Sequence, residues 1–302
     1  MAHTHDNHSA VPKSFDKAFG LGIALNFGFV VVEAFYGWKV DSLALLADAG
    51  HNLSDVGGLI LAWAALAATR LRPNDRHTFG WRRGSILASF VNALILLVAM
   101  GSLGWEAIQR LQAPVAIVGE TVMLVAGIGV LVNAITAWLF ISGSQSDLNV
   151  RGAFLHMAAD ALVSVGVVLA GALYLWKGWS WIDPVISLAI AVVIVLTTWS
   201  LLRKSLHLLF DGVPEHVDLP EVRQFLLTQP SVCDVHDLHI WAMSTSEVAL
   251  TAHMVMVPLP DSDQFLQDVA EELRDHFGIT HSTLQLEHDE GCTAGCTVLR
   301  DQ

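Results

Sequence analysis

Two stretches of the chain repeat one arrangement of side chains, His51-Asn-Leu-Ser-Asp55 and His156-Met-Ala-Ala-Asp160. Residues four apart on an α-helix share a face, separated by about 6 Å of rise and about 40° of rotation. Each stretch therefore offers one imidazole nitrogen and one carboxylate oxygen along a single stripe. Two such stripes facing each other would supply two nitrogens and two oxygens, a donor set that suits tetrahedral Zn2+. The competing reading is that the four groups make interhelical hydrogen bonds. Both motifs lie in long apolar segments, where an ionisable group costs a few kcal/mol unless it is paired or reaches water. Two His and two Asp at one spacing in two such segments weigh towards a metal site.

The elements that must carry these stripes can be read from composition and hydropathy. The chain has 302 residues, 53% of them hydrophobic and only 15% charged, and its mean hydropathy is +0.52. That is too apolar for an ordinary soluble domain. The apolar residues form blocks near or above the roughly 20 residues that a helix needs to cross a bilayer. Six spans are expected, at residues 15–40, 43–69, 84–111, 119–141, 153–176 and 184–206. Arg72-Pro73-Asn74-Asp75 breaks the chain after the second, and Asp183-Pro184 reads as an N-cap followed by a first-turn proline for the sixth.

Lys and Arg set the expected orientation. Lys13, Lys17, Arg70, Arg72, Arg76, Arg82, Arg83, Arg151, Arg203 and Lys204 fall on one side, against Lys39, Arg110 and Lys177 on the other. Both termini are therefore expected in the cytoplasm. Trp38, Trp105, Trp176, Trp179 and Trp181 fall near span ends, as an interfacial aromatic belt would.

The net charge is −13, and from Asp211 onward 17 acids face only three arginines. Such a tail suits cations and excludes nucleic acid as a partner. Its periodicity reads helix at 219–228, strands at 235–242 and 247–257, helix at 264–277 and strand at 282–287, a compact α+β unit. The expected division is a His-containing N-terminal tail at 1–14, a six-helix transmembrane domain at 15–207 and a cytoplasmic metal-binding domain at 208–302.

Other polar groups have competing readings. Asp48 precedes His51 by three residues and either attracts the cation, carries a proton or packs between helices. Glu33, Asn26, Asn92 and Asn133 read as interhelical hydrogen-bonding groups. The tail offers His236, His239, His253, Glu287, His288, Cys292 and Cys296, and thiolate with imidazole favours zinc. His239 could instead pack beside Trp241. His3, His5 and His8 either capture zinc loosely or belong to a disordered tail.

With these residues in view, the sequence resembles the cation diffusion facilitator family in its zinc-transporting branch. The matching stretches are residues 42–55, His77-Thr-Phe-Gly-Trp-Arg82, 148–156, Asp183-Pro184 and 235–241, spread over nearly the whole chain. The resemblance implies a homodimer, six spans per protomer, a ferredoxin-like cytoplasmic domain, and His51, Asp55, His156 and Asp160 as the transport site. It also implies that His236 and His253 contribute to cytoplasmic metal sites. The Cys292/Cys296 pair resembles the tail cysteines of vesicular zinc transporters, here spaced Cys-x-x-x-Cys. Some members hold a second metal in the loop after the second span. Here His77 is kept, but Trp81 stands where the other His would fall, so His77 is either a ligand assisted by Asp75 or a loop-packing residue.

No Gly-x-x-x-x-Gly-Lys-Ser/Thr pattern is present, so nucleotide hydrolysis is not expected to drive transport. The expectation is proton-coupled efflux of zinc, with cadmium, cobalt and other divalent ions as further substrates. Metal would bind deprotonated ligands and be expelled when protons return to them. Zn2+ is also expected as a structural or regulatory ion in the tail, and a bacterial inner membrane as the location. Two rivals are a metal sensor with a membrane anchor, and an intramembrane metalloenzyme. The second lacks His-Glu-x-x-His and a water position in the zinc shell.

Overall fold

The computed structural model describes residues 13–69, 74–113, 115, 117–141, 148–260 and 263–288. His3, His5, His8, Cys292 and Cys296 lie outside the described residues. The element order is α1 (Lys13–Lys39), α2 (Leu43–Thr69), α3 (Gly84–Gln112), α4 (Gly119–Ile141), α5 (Leu148–Lys177), α6 (Ile182–Leu209), α7 (Leu219–Leu227), β1 (Val232–Ala242), β2 (Val248–Met256), α8 (Gln264–Phe277) and β3 (Ile279–Glu287).

Residues 1–60 and 92–200 form one compact unit, and residues 61–91 with 201–302 form a second. The first unit is apolar outside and buries a set of polar groups beside an apolar core that includes Phe29, Leu45, Met100, Val125 and Val167. Val31, Phe35, Ile95, Val98, Leu131, Leu162 and Leu196 are exposed, while Glu33, Asp48, Asn133, Asp160 and Ser164 are buried. An apolar exterior over buried polar groups suits lipid, which solvates hydrocarbon and leaves polar groups to find one another. Among the described residues, α3, residues 119–138 of α4, residues 154–177 of α5 and α6 are long and apolar enough to cross a membrane. Trp38, Trp105, Trp176, Trp179 and Trp181 are all exposed.

Small residues let the helices close up. A Cβ on Gly171 of α5 would lie 3.2 Å from the Gly119 carbonyl oxygen and the Met123 backbone of α4, and one on Gly129 of α4 would meet the Phe29 ring of α1 at 2.6 Å. The polar ties expected between helices are present for Asn26, whose amide donates to Thr136 Oγ1 at 3.4 Å, and for Asn92, which donates to Ser54 Oγ at 2.9 Å. Asn133 is the exception: neither amide atom has a partner among the described residues.

Asp183 differs from the sequence expectation in an instructive way. The helix α6 starts at Ile182, so Asp183 lies inside its first turn. Its carboxylate instead serves α2, accepting from Ser42 Oγ at 2.5 Å and from the Leu43 backbone N–H at 3.0 Å. First-turn N–H groups lack partners within their own helix, and an acid there also complements the helix dipole. The start of the helix that carries His51 and Asp55 is thereby fixed by a residue 140 positions away.

In the second unit, α7 begins with the Asp218 carboxylate accepting from the Glu221 N–H, and α8 ends at Gly278 in the left-handed conformation (φ 69°). The sheet order is β1-β2-β3, with β1 and β2 antiparallel and β2 and β3 parallel across the α8 crossover. Val222 and Leu226 of α7 and Val269 and Leu273 of α8 bury against Leu250, Met254, Met256 and Ile279. Within this unit Arg82 pairs with Glu247 at 3.0 Å and Arg83 with Asp211.

Candidate metal centre

The capped start of α2 sets the helix phase, and about two turns later His51 and Asp55 share one face. His156 and Asp160 do the same on α5. The four side chains meet. His51 Nε2 lies 3.6 Å from Asp55 Oδ2 and 3.4 Å from Asp160 Oδ1, while His156 Nε2 lies 3.2 Å from Asp55 Oδ2 and 3.7 Å from Asp160 Oδ2. Zinc bonds of about 2.0–2.1 Å at the tetrahedral angle put neighbouring donor atoms about 3.3–3.4 Å apart. The four nitrogen–oxygen distances bracket that spacing, with Asp160 turning Oδ1 to His51 and Oδ2 to His156.

The competing reading, hydrogen bonding between helices, fits less well. Asp55 Oδ2 and Asp160 Oδ2 are buried and make no hydrogen bond among the described residues, and His51 Nδ1 is likewise unbonded. At 3.2–3.7 Å the nitrogen–oxygen contacts are longer than charge-assisted hydrogen bonds of about 2.7–2.9 Å. Ligand atoms of His51, Asp55 and Asp160 lie within 4.8 Å of one another, and the rings of His51 and His156 are 5.9 Å apart. The cluster is sided: the Asp160 side chain is 3% exposed and that of His156 is 42% exposed, so His156 is its open edge.

A second cluster joins all three strands of the C-terminal unit. His236 on β1 is the register partner of His253 on β2, and Glu287 ends β3. Glu287 Oε1 and His253 Nδ1 are hydrogen-bonded at 2.8 Å, Glu287 Oε2 is 3.4 Å from His236 Nε2, and the three can offer atoms within 4.8 Å of one another. Two imidazoles and a carboxylate suit zinc, and these residues fit one ion held between strands. His239 takes no part: its Nε2 is 2.9 Å from Asp237 Oδ1. Asp237 sits at φ 51° where the β1–β2 register shifts between His236 and His239, and its other oxygen is 3.6 Å from His253 Nε2.

His77 stacks on Trp81 with ring centroids 4.4 Å apart, in a turn where its N–H and carbonyl pair with Asn74. It joins neither metal-ligating cluster among the described residues. Sequence reasoning missed Ser164, Asn52 and Asp237. The first lies four residues after Asp160 and the second beside His51, but the partner that gives each its meaning comes from another element.

Residues 21–210 match the family model described as the cation efflux transmembrane domain, and residues 214–289 match that of the cation efflux protein, cytoplasmic domain. The chain belongs to the cation efflux family. It is similar to the zinc transporter ZitB of Escherichia coli (37% identity over 292 residues, 95% of this chain and 93% of the relative). It is also similar to the cadmium, cobalt and zinc/H(+)-K(+) antiporter of Bacillus subtilis (33% identity, 95% and 92% covered). The metal cation efflux system protein CzcD of Cupriavidus metallidurans is 37% identical over 94% of this chain and 89% of its own. The solved metal-bound C-terminal domain of CzcD aligns at 40% identity over 24% of this chain and 99% of its own, with a TM-score of 0.22. As a cation efflux protein the chain is an integral membrane transporter, not an enzyme.

Proposed function

We propose that this cation efflux protein exports zinc from the cytoplasm in exchange for protons, with His51, Asp55, His156 and Asp160 as a tetrahedral transport site. The observation that carries the reading is the set of four His–Asp distances at 3.2–3.7 Å, which bracket the spacing of a zinc shell, with no hydrogen bond to Asp55 Oδ2 or Asp160 Oδ2 among the described residues. Relatives named for zinc, and one named as a zinc/H(+)-K(+) antiporter, support the substrate and the exchange. Cadmium and cobalt, in that relative's name, are further substrates of the same site.

Metal enters from the cytoplasm and binds both carboxylates and both neutral imidazoles. The helices then expose it to the other face, where protons take the ligand atoms and expel it. Six spans carry this cycle: α1 and α2, at 27 residues each, match the others in length. The lysine and arginine bias supports cytoplasmic termini in a bacterial inner membrane. The division is a tail at 1–14, a transmembrane domain at 15–207 and a cytoplasmic α+β, ferredoxin-like domain at 208–302, acting as a homodimer. In that domain His236, His253 and Glu287 hold a zinc ion that cross-links the three strands, with Cys292 and Cys296 as further ligands from the tail. His77 is kept as a weaker ligand candidate.

The test is zinc uptake into proteoliposomes with an internal pH indicator. Wild type takes up zinc and releases protons, and Asp160→Ala lowers the rate at least 100-fold. Zinc uptake that neither needs nor moves protons would reject the exchange, and full uptake by Asp160→Ala would reject the site.

A further inference from the structure

Each helix of the quartet carries a second buried polar residue one turn from its ligands. Asp48 precedes His51 by three positions in α2, and Ser164 follows Asp160 by four in α5. Both are 0% exposed, and Ser164 Oγ donates to Asp48 Oδ2 at 3.0 Å. The other oxygen of Asp48 lies 3.5 Å from Asn52 Nδ2, and the same amide nitrogen lies 3.4 Å from Glu33 Oε2 on α1. A hydroxyl from α5 thus holds an acid on α2, and an amide beside His51 links that acid to α1. A buried carboxylate gives up a donor only at a substantial desolvation cost, because no water replaces it. The distance between α2 and α5 is therefore fixed at this level.

We propose that Asp48 and Ser164 are positioning residues whose hydrogen bond sets the spacing of the two His-x-x-x-Asp stripes, and with it the size of ion the quartet accepts. The inference rests on the reading of His51, Asp55, His156 and Asp160 as the transport site. Donor–donor edges lengthen with the metal–ligand bond, so a wider spacing of the two stripes disfavours Zn2+ relative to a larger ion such as Cd2+. Cutting the tie lets the helices settle further apart, which weakens zinc more than cadmium. Neither residue is assigned a bond to the ion. Their effect runs through the ligand helices, as outer contacts tune metal sites elsewhere, typically by 10–100-fold in affinity.

The experiment measures KM and maximal rate for zinc and cadmium in the same proteoliposome assay, for wild type, Ser164→Ala, Ser164→Thr, Asp48→Asn and Asp160→Ala. In Ser164→Ala the zinc KM should rise about tenfold and the cadmium KM less than about threefold, which moves the preference towards cadmium. Ser164→Thr keeps the hydroxyl and should restore the wild-type ratio, a rescue that general loosening of the fold would not give. Asp48→Asn keeps the length with a neutral acceptor and should shift the ratio the same way by a smaller factor, so it carries the test if Ser164→Ala does not fold. An unshifted zinc-to-cadmium ratio in both variants, or an equal loss for both ions, overturns the proposal. If Asp160→Ala transports zinc normally, the site reading itself has failed. If Asp160→Ala is inactive while the Ser164 and Asp48 ratios stay unshifted, only the positioning role falls.

Discussion

The quartet of the membrane unit and the trio of the C-terminal unit use the same chemistry in opposite settings. In the quartet, two donors come from each of two helices, and two buried carboxylate oxygens point at the cluster without a hydrogen bond. In the trio, one donor comes from each of three strands, and Glu287 already spends one oxygen on His253 at 2.8 Å. Helices can slide or tilt as rigid bodies and carry paired ligands with them, whereas a sheet ladder holds its strands in register. The first arrangement suits an ion that must be taken up and let go. The second suits an ion that stays and ties a small domain together.

That contrast can be broken by removing one ligand from each site. Asp55→Ala should cost one bound zinc per protomer and nearly all transport. Glu287→Gln should cost the C-terminal zinc while leaving transport within about tenfold of wild type. Metal per protein by mass spectrometry, read beside uptake rates, decides it, and equal transport losses in the two variants would erase the distinction. A smaller, graded effect separates them by pH. Metal displaces protons from its imidazoles, so affinity falls as pH falls at both sites, by up to about tenfold per unit for each imidazole that must shed a proton. The sign is the same for quartet and trio. Lowering the pH to about 5.5 on the release side alone should nevertheless speed zinc exit from the quartet and leave transport by Glu287→Gln equally stimulated. A stimulation that vanished with Glu287 would assign the proton effect to the trio instead.

How much of this was legible in the sequence depends on how local each cause is. The His-x-x-x-Asp spacing states its geometry outright, because helix periodicity puts His51 over Asp55 and His156 over Asp160 wherever the helices go. The helices themselves follow from long apolar runs, and α8 from its amphipathic pattern with Gly278 as a stop. The roles of Asp183 and Ser164 were not legible. Asp183 looks like the cap of its own helix and instead caps α2, and Ser164 looks like a small packing residue until Asp48 is brought beside it. The pairing of His236 with His253 needed the β1–β2 register, which a bulge at Asp237 shifts. His239 shows the converse: the sequence offers it as a ligand, but the bulge turns it to Asp237.

The central claim is that one zinc ion is held inside the membrane unit by two imidazoles and two carboxylates. Zinc X-ray absorption on the full chain with His77, His236, His253, Cys292 and Cys296 all replaced by Ala, which removes the other proposed ligands and confines the metal to the quartet, reads the shell directly. The account predicts two nitrogens and two oxygens at about 2.0–2.1 Å with no sulfur, and loss of that signal in Asp160→Ala. A sulfur shell at about 2.3 Å, or a spectrum unchanged by Asp160→Ala, would contradict it.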